Sequence, residues 1–401
     1  MATDLADAAA TPGELLARLA LVADDVADLH SSLRTEMERR VAEIVDQVQA
    51  GESVFPVLEF ADVLADRVGA AARTAVRRAG CVVLRGTFER AEAEAWDVEL
   101  GDYIERNRFR DRLLEQHPAV ADGSRIWPVY WSRPQIAARQ HARTDIARRF
   151  LNSLWTSDSG GVRWFDPDDD IGYPDRVRRR EPGAVSKGLA AHADSPSVGG
   201  WRIAENQAVF APLLSGGLAA YDPFDAAHRT GARVESPVGC TVFRTFQGWT
   251  ALSEMHPADG VLHVVPISAA VGYRLVHGLA SELGLLGDPV PAPRRDAGDQ
   301  LLSQAMVPIP VVQPGDTVWW HADLYHLVGD ATNATRSGNV MYVGAAPSCP
   351  RNEAYRVGML DRFLRGASPV DFPGDDFEAG FVGRATVADL NATGRRQFGL
   401  T

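Results

Sequence analysis

Between Gly183 and Ala346 the chain breaks into short β runs closed by turn signals, and this pattern limits the fold more than any other feature. The runs are Ala208–Ala211, Thr241–Phe246, Val261–Pro266, Val307–Val312, Thr317–Trp320 and Asn339–Ala345. Ser215-Gly-Gly, Pro237-Val-Gly and Gln313-Pro-Gly-Asp316 mark turns between them. Many short strands separated in this way predict a double-sheet barrel.

One strand in this region carries chemistry. Lys187-Gly-Leu-Ala-Ala-His-Ala-Asp-Ser195 sets His192 and Asp194 two residues apart, and positions i and i+2 of a strand share a face. An imidazole and a carboxylate on one face supply two legs of a 2-His-1-carboxylate triad. Such a triad holds Fe(II) by three protein ligands and leaves positions open for cosubstrate and oxygen. The chain has a second His-x-Asp, His321-Ala-Asp323, but only His326 follows it, too near to lie on another strand. After Asp194 stand His228, His256, His263, His277, His321 and His326. His326 has the fitting context. It ends Pro314-Gly-Asp-Thr-Val-Trp-Trp-His-Ala-Asp-Leu-Tyr-His326, a turn leading into an apolar strand and a short bend. Arg336 lies downstream in Thr335-Arg-Ser-Gly-Asn339, where a guanidinium can take a dicarboxylate's remote carboxylate in a bidentate grip. The expected catalytic and metal residues are therefore His192, Asp194 and His326, with His321 as a core or supporting histidine.

The rest of the chain reads as a frame. Residues 1–12 are expected to fray. From Glu14 to Gln49, apolar residues recur every three or four positions, which predicts an amphipathic helix or helix pair, packed on the outside of the domain or on a partner subunit. A helix over Ala61–Ala79 ends at Gly80, the buried strand Cys81-Val-Val-Leu-Arg85 follows, and a second helix covers Arg90–Arg106. Trp131-Ser-Arg-Pro-Gln135 reads as a loop and Ala137–Trp155 as a helix. The acidic run Asp166–Asp170 reads as a solvated loop, because the spaced oxygens and closing Glu of a calcium loop are absent. Residues 280–300 read as a surface excursion and Arg351–Thr401 as helix and loop.

Composition excludes some partners. The net charge of −12 argues against nucleic acid or an anionic membrane. Cys81, Cys240 and Cys349 are few and far apart, as in a reducing compartment. No leader or membrane span is legible, so the expected location is the cytoplasm.

Several stretches carry a family resemblance. They are Tyr130-Trp-Ser-Arg-Pro-Gln135, His192-Ala-Asp194, Tyr221-Asp-Pro-Phe-Asp-Ala-Ala-His-Arg229, Val242-Phe-Arg-Thr-Phe-Gln-Gly-Trp-Thr-Ala-Leu252, Gly260-Val-Leu-His-Val-Val-Pro266, Trp319-Trp-His-Ala-Asp-Leu-Tyr-His326 and Arg396-Gln-Phe-Gly-Leu400. The chain resembles the Fe(II)/2-oxoglutarate-dependent oxygenases of the phytanoyl-CoA-dioxygenase-like branch, and within it the YbiU-like proteins. The resemblance implies a mainly β fold, a double-stranded β-helix (jelly-roll, cupin-like) core flanked by helices. Residues 56–401 would form this domain and residues 1–55 a helical extension. It implies Fe(II), 2-oxoglutarate and O2 as cofactors, with Arg336, Trp249 and Ser337 around the cosubstrate. The expected reaction is hydroxylation of a small polar metabolite, an amino acid, nucleoside or natural-product intermediate, with release of succinate and CO2. Desaturation or cyclisation fits the same site. Asp194 stands where halogenating relatives carry a small residue. Tyr130, Trp131, Arg133, Gln135, Arg202 and Arg244 are candidates for substrate contact. Ser195-Pro-Ser-Val-Gly-Gly-Trp201 departs from relatives, which tend to have a charged residue where this chain has Gly200. Two other classes use the same residues differently: a cupin-type metal-dependent lyase or isomerase without 2-oxoglutarate, and a non-catalytic binding protein. The long N-terminal helix also offers a surface on which a homodimer could form.

Overall fold

The computed structural model describes residues 11–116, 126–194, 202–232, 240–286, 300–331, 335–372, 374 and 376–400. The Pro237-Val-Gly turn, the Ser195–Trp201 departure, residues 1–10 and most of the 280–300 excursion lie outside them.

Two sheets organise the chain. A seven-stranded sheet runs in the order Val57–Glu59, Cys81–Arg85, Thr317–His321, Phe246–Ala251, Val340–Ala345, Val177–Arg178 and Ile126–Trp127. Its first pair is parallel and the rest antiparallel. A four-stranded antiparallel sheet runs Val307–Pro308, Leu262–Val264, His326–Val328 and Leu189–His192.

The apolar runs follow from what covers each face. Strand side chains alternate, so a strand covered on both sides reads as continuous apolar sequence. Cys81 and Val83 enter the cluster shared with the four-stranded sheet, whereas Val82 and Leu84 enter a second cluster on the opposite face. Val318 and Trp320 likewise face the first cluster and Trp319 the second. The first cluster joins Trp249, Val318 and Trp320 of the large sheet to Leu262, Val264 and Val307 of the small one. The second is capped by Ala147, Phe150 and Leu151 of the helix Ala142–Asn152.

The N-terminal segment is a helix pair, Pro12–Leu19 and Ala23–Gln49, broken at Ala20 in left-handed conformation. The long helix buries Val26, Leu33, Met37, Val41 and Ile44 in the first cluster. It lies along the helix Ala270–Glu282, where His30 Nε2 meets His277 Nδ1 at 3.0 Å. A face of this kind is buried within the chain itself.

Several expectations are corrected. Ala208–Ala211 is not a strand but part of the helix Ala204–Gly216. Four apolar residues carry too little periodicity to separate the two states, and the helix continues through Pro212. The helix over Ala61–Ala79 is two helices, Phe60–Leu64 and Ala70–Ala79, the second closed by Gly80 at φ 74°. The helix over Ala137–Trp155 is also divided, into Arg133–Arg139 and Ala142–Asn152. Ser132 caps the first of these by accepting from Gln135 N, and Pro134 sits in its first turn, where proline is tolerated. Trp131–Gln135 is thus a helix start rather than a loop. Asp166–Asp170 forms a strand paired with Pro347–Ser348. Its Asp170 is buried, accepts from Gly172 N and Ala346 N, and lies 3.5 Å from Arg148.

The expected strand Thr241–Phe246 is displaced: only Phe246 belongs to the strand, which covers Phe246–Ala251. Gly248 lets this strand lie close against Thr317–His321, since a Cβ there would come within 2.7 Å of the Trp319 ring. The chain ends in the helix Pro350–Arg365 and short turns. Its Met359 and Phe363 pack with Tyr130, Trp131 and Phe398 in a separate cluster.

Candidate metal centre

The small sheet assembles the centre by its register. Leu189–His192 pairs with His326–Val328, so that His192 stands directly opposite His326. Asp194 follows two residues beyond His192, its backbone N–H donating to Ala322 O at 3.0 Å. His192 Nε2 lies 3.6 Å from Asp194 Oδ1, and His326 Nε2 lies 3.4 Å from Asp194 Oδ2. One donor atom from each of the three falls within 4.8 Å of the other two.

Hydrogen bonds set the tautomers. His192 Nδ1–H donates to Ala190 O at 2.7 Å, and His326 Nδ1–H to Leu324 O at 2.8 Å. Both Nε2 lone pairs are thereby left facing the carboxylate, an arrangement in which a carbonyl orients each ligand imidazole. Burial pushes His326 down to about 4, so its ring is neutral at pH 7. Burial works to raise Asp194, but His326, His192, Arg244 and the Gln247 amide together hold it below its ordinary value. Two imidazoles and one carboxylate are a donor set that fits Fe(II) or another divalent first-row metal.

Around this set, Gln247 reaches across from the large sheet and donates through Nε2 to Asp194 Oδ2. The Trp320 ring stands 5.6 Å from that of His326. The second His-Ala-Asp segment touches the first through Ala322 O. His321 is stacked on Trp155 at 4.7 Å, donates from Nε2 to Pro223 O and accepts at Nδ1 from Asp323 N. Asp323 is paired with Arg229 at 2.7 Å. His321 is the core histidine expected from the sequence.

The other candidates scatter. Trp249 is buried in the first cluster, on the face it shares with Gln247. Arg336 lies 3.7 Å from Asp259 and 3.9 Å from Glu254, residues that precede the strand Leu262–Val264. The Ser337 carbonyl accepts from Ser253. Arg244 lies beside the triad, its Nη1 donating to Gln247 Oε1 at 2.9 Å. Tyr130, Trp131 and Gln135 are buried elsewhere. Trp131 Nε1 donates to Ala367 O, and the Gln135 amide binds Val129 O and Asp175 O. Arg133 is exposed 3.5 Å from Asp389, and Arg202 is paired with Glu282. The structure therefore brings Arg244 to the triad, and holds Tyr130, Trp131, Arg133, Gln135 and Arg202 in contacts of their own. Gln247 was not singled out from the sequence. Its only signal is strand period two, which puts it on the face of Trp249.

Two sheets sharing one core and flanked by helices, with a His-Asp-His cluster at their junction, define a mixed α and β protein with a candidate mononuclear metal centre. Helices hold more of the described residues than strands do, which corrects the mainly β expectation. Residues 13–400 match the Gig2-like family, and the chain belongs to it. Escherichia coli K12 YbiU is 43% identical over 390 residues, 94% of this chain and 92% of that protein. The crystal structure of Escherichia coli JW0805 matches with a TM-score of 0.85 at 44% identity, covering 97% of this chain and 95% of that one. A Salmonella typhimurium LT2 protein named "Putative Oxidoreductase" matches with a TM-score of 0.85 at 39% identity, with the same coverage. Among the described residues no helix is long and apolar enough to cross a membrane.

Proposed function

We propose that the chain is a non-haem Fe(II)/2-oxoglutarate-dependent oxygenase of the phytanoyl-CoA-dioxygenase-like branch, with its two sheets forming a double-stranded β-helix. In this reading it hydroxylates an unactivated C–H bond of a small polar metabolite. The observation that carries the reading is the convergence of His192, Asp194 and His326, with both Nε2 lone pairs turned to the carboxylate. The name of the Salmonella relative agrees with it.

In this reading His192, Asp194 and His326 hold the iron. The bound metal and 2-oxoglutarate supply the activation of dioxygen, with succinate and CO2 released. The chain's own residues orient and shield. Gln247 fixes the Asp194 carboxylate, and Trp249 and Trp320 form an apolar wall that keeps water out. Arg336 takes the remote carboxylate of 2-oxoglutarate, with Trp249 and Ser337 beside it. Glu254 and Asp259 stand within ion-pair distance of Arg336 at 3.9 and 3.7 Å, so the cosubstrate carboxylate has to compete with them for the guanidinium. Asp194 fills the ligand place that halogenation would require to be vacated, which favours hydroxylation.

The test is anaerobic titration with Fe(II) and 2-oxoglutarate, watching for the visible metal-to-ligand charge-transfer band. Wild type shows the band, His326→Ala loses it, and Arg336→Ala needs far more 2-oxoglutarate. Bound iron without a band would put the lyase or isomerase reading first.

A further inference from the structure

Arg244 occupies a place that this reaction leaves unused. It lies just before the strand Phe246–Ala251 and is linked to the triad by one side chain: its Nη1 donates to Gln247 Oε1, and Gln247 Nε2 donates to Asp194. The guanidinium lies over the Tyr173 ring at 5.6 Å. Among the described residues no carboxylate lies within ion-pair distance of it. Arginine keeps its charge in such a setting, so the site holds a cation that no described residue neutralises by contact.

The surroundings reinforce this. Arg244 lines a cavity with Asp194, Arg229, Asp323, Arg351 and Val242. Arg229 is neutralised there by Asp323. Asp194 faces the two histidines. Arg244 thus brings a guanidinium with no carboxylate contact among the described residues to a cavity that Asp194 also lines. A guanidinium so placed beside Asp194 suits a small anion.

We propose that Arg244 binds the oxyanion of the substrate, a carboxylate or phosphate, so that the enzyme acts on a small acid rather than a neutral metabolite. This rests on the oxygenase reading and narrows it. Two hydrogen bonds and one amide separate the guanidinium from Asp194, a path of roughly 8 Å at most. The oxidised carbon therefore lies only a few bonds from the anionic group.

The experiment uses the full chain. Acetate and inorganic phosphate are titrated calorimetrically into metal-free protein, and 2-oxoglutarate into the anaerobic Fe(II) form. Arg244→Gln should weaken the better-bound probe at least about 30-fold, the loss of one charge-assisted contact. Arg244→Lys should keep it within about tenfold, and circular dichroism should show both variants folded. The 2-oxoglutarate titration should stay within threefold of wild type in Arg244→Gln. Binding of neither probe to wild type, or unchanged probe binding in Arg244→Gln, overturns the proposal. So does a loss that falls on 2-oxoglutarate, since Arg244 then serves the cosubstrate. A missing charge-transfer band with anion binding intact faults the oxygenase reading alone.

Discussion

His192 and His326 face each other across two antiparallel strands, their ring centroids 4.3 Å apart, and each ring is held by the carbonyl two residues before it on its own chain segment. The pairing register, not either residue alone, makes the pair a site. A one-residue slip would turn His192 to the other face.

On the proposed reading, removing either ring leaves a two-ligand site. His192→Ala and His326→Ala should each lower Co(II) or Fe(II) affinity at least about 100-fold, beyond the 10–100-fold effect usual for outer-shell partners. Calorimetric titration of the metal-free protein measures this. Retention of wild-type affinity in His326→Ala would remove that residue from the ligand set.

His321 should behave in the opposite way. Its ring is buried between Trp155 and Phe224, and both nitrogens are engaged inside the protein. His321→Ala should cost about 2–4 kcal/mol of stability through the cavity and the unpaired groups it leaves. Metal affinity should stay within a few-fold. Urea unfolding and the same metal titration, side by side, separate the two roles.

Much of this was legible in the chain before folding. The convergence of His192, Asp194 and His326 could be read because it follows local rules: period two on His192 and Asp194, and a turn leading into an apolar strand before His326. What joins those segments is long-range. Gln247 lies 53 residues from its partner Asp194, and no spacing rule connects a glutamine to a carboxylate so far away. Tyr130, Trp131 and Gln135 show the reverse problem. Aromatic and polar side chains suit a binding loop, but the same side chains suit a buried corner, and here Glu378 collects the backbone N–H groups of Tyr130 and Trp131. The stretch Trp131–Gln135 reads as a loop although it starts a helix, because a proline in a first helical turn looks the same in sequence as one in a loop.

Gln247 gives a prediction of its own. Its amide is the one side chain from the large sheet that hydrogen-bonds Asp194 among the described residues. Gln247→Leu keeps the bulk and removes the donor. Metal affinity should fall about 10–100-fold with the ligands intact, as for other outer-shell partners of a metal ligand. Gln247→Glu should fall at least as far, because a second carboxylate would face Asp194. An unchanged metal titration in both variants would show that the Ala322 contact alone positions Asp194.

The pH dependence of stability should centre on Glu378. It is buried and accepts from Tyr130 N, Trp131 N and the Tyr103 hydroxyl. Burial nonetheless raises its carboxyl to about 7, against 4.5 for the free group. A carboxyl raised on folding binds its proton more tightly in the native state. Its contribution to stability is therefore complete below about pH 4.5 and is lost as pH rises through about 7. The loss is at most a few kcal/mol. Asp170, raised to about 6 by burial, adds to the same trend over a lower window. Glu378→Gln cannot ionise, so urea midpoints between pH 5 and pH 8 should slope less steeply than in wild type. The variant should also be weaker at pH 5, because an amide offers one acceptor oxygen where three donors converge. An identical slope in wild type and Glu378→Gln would place the titrating group elsewhere.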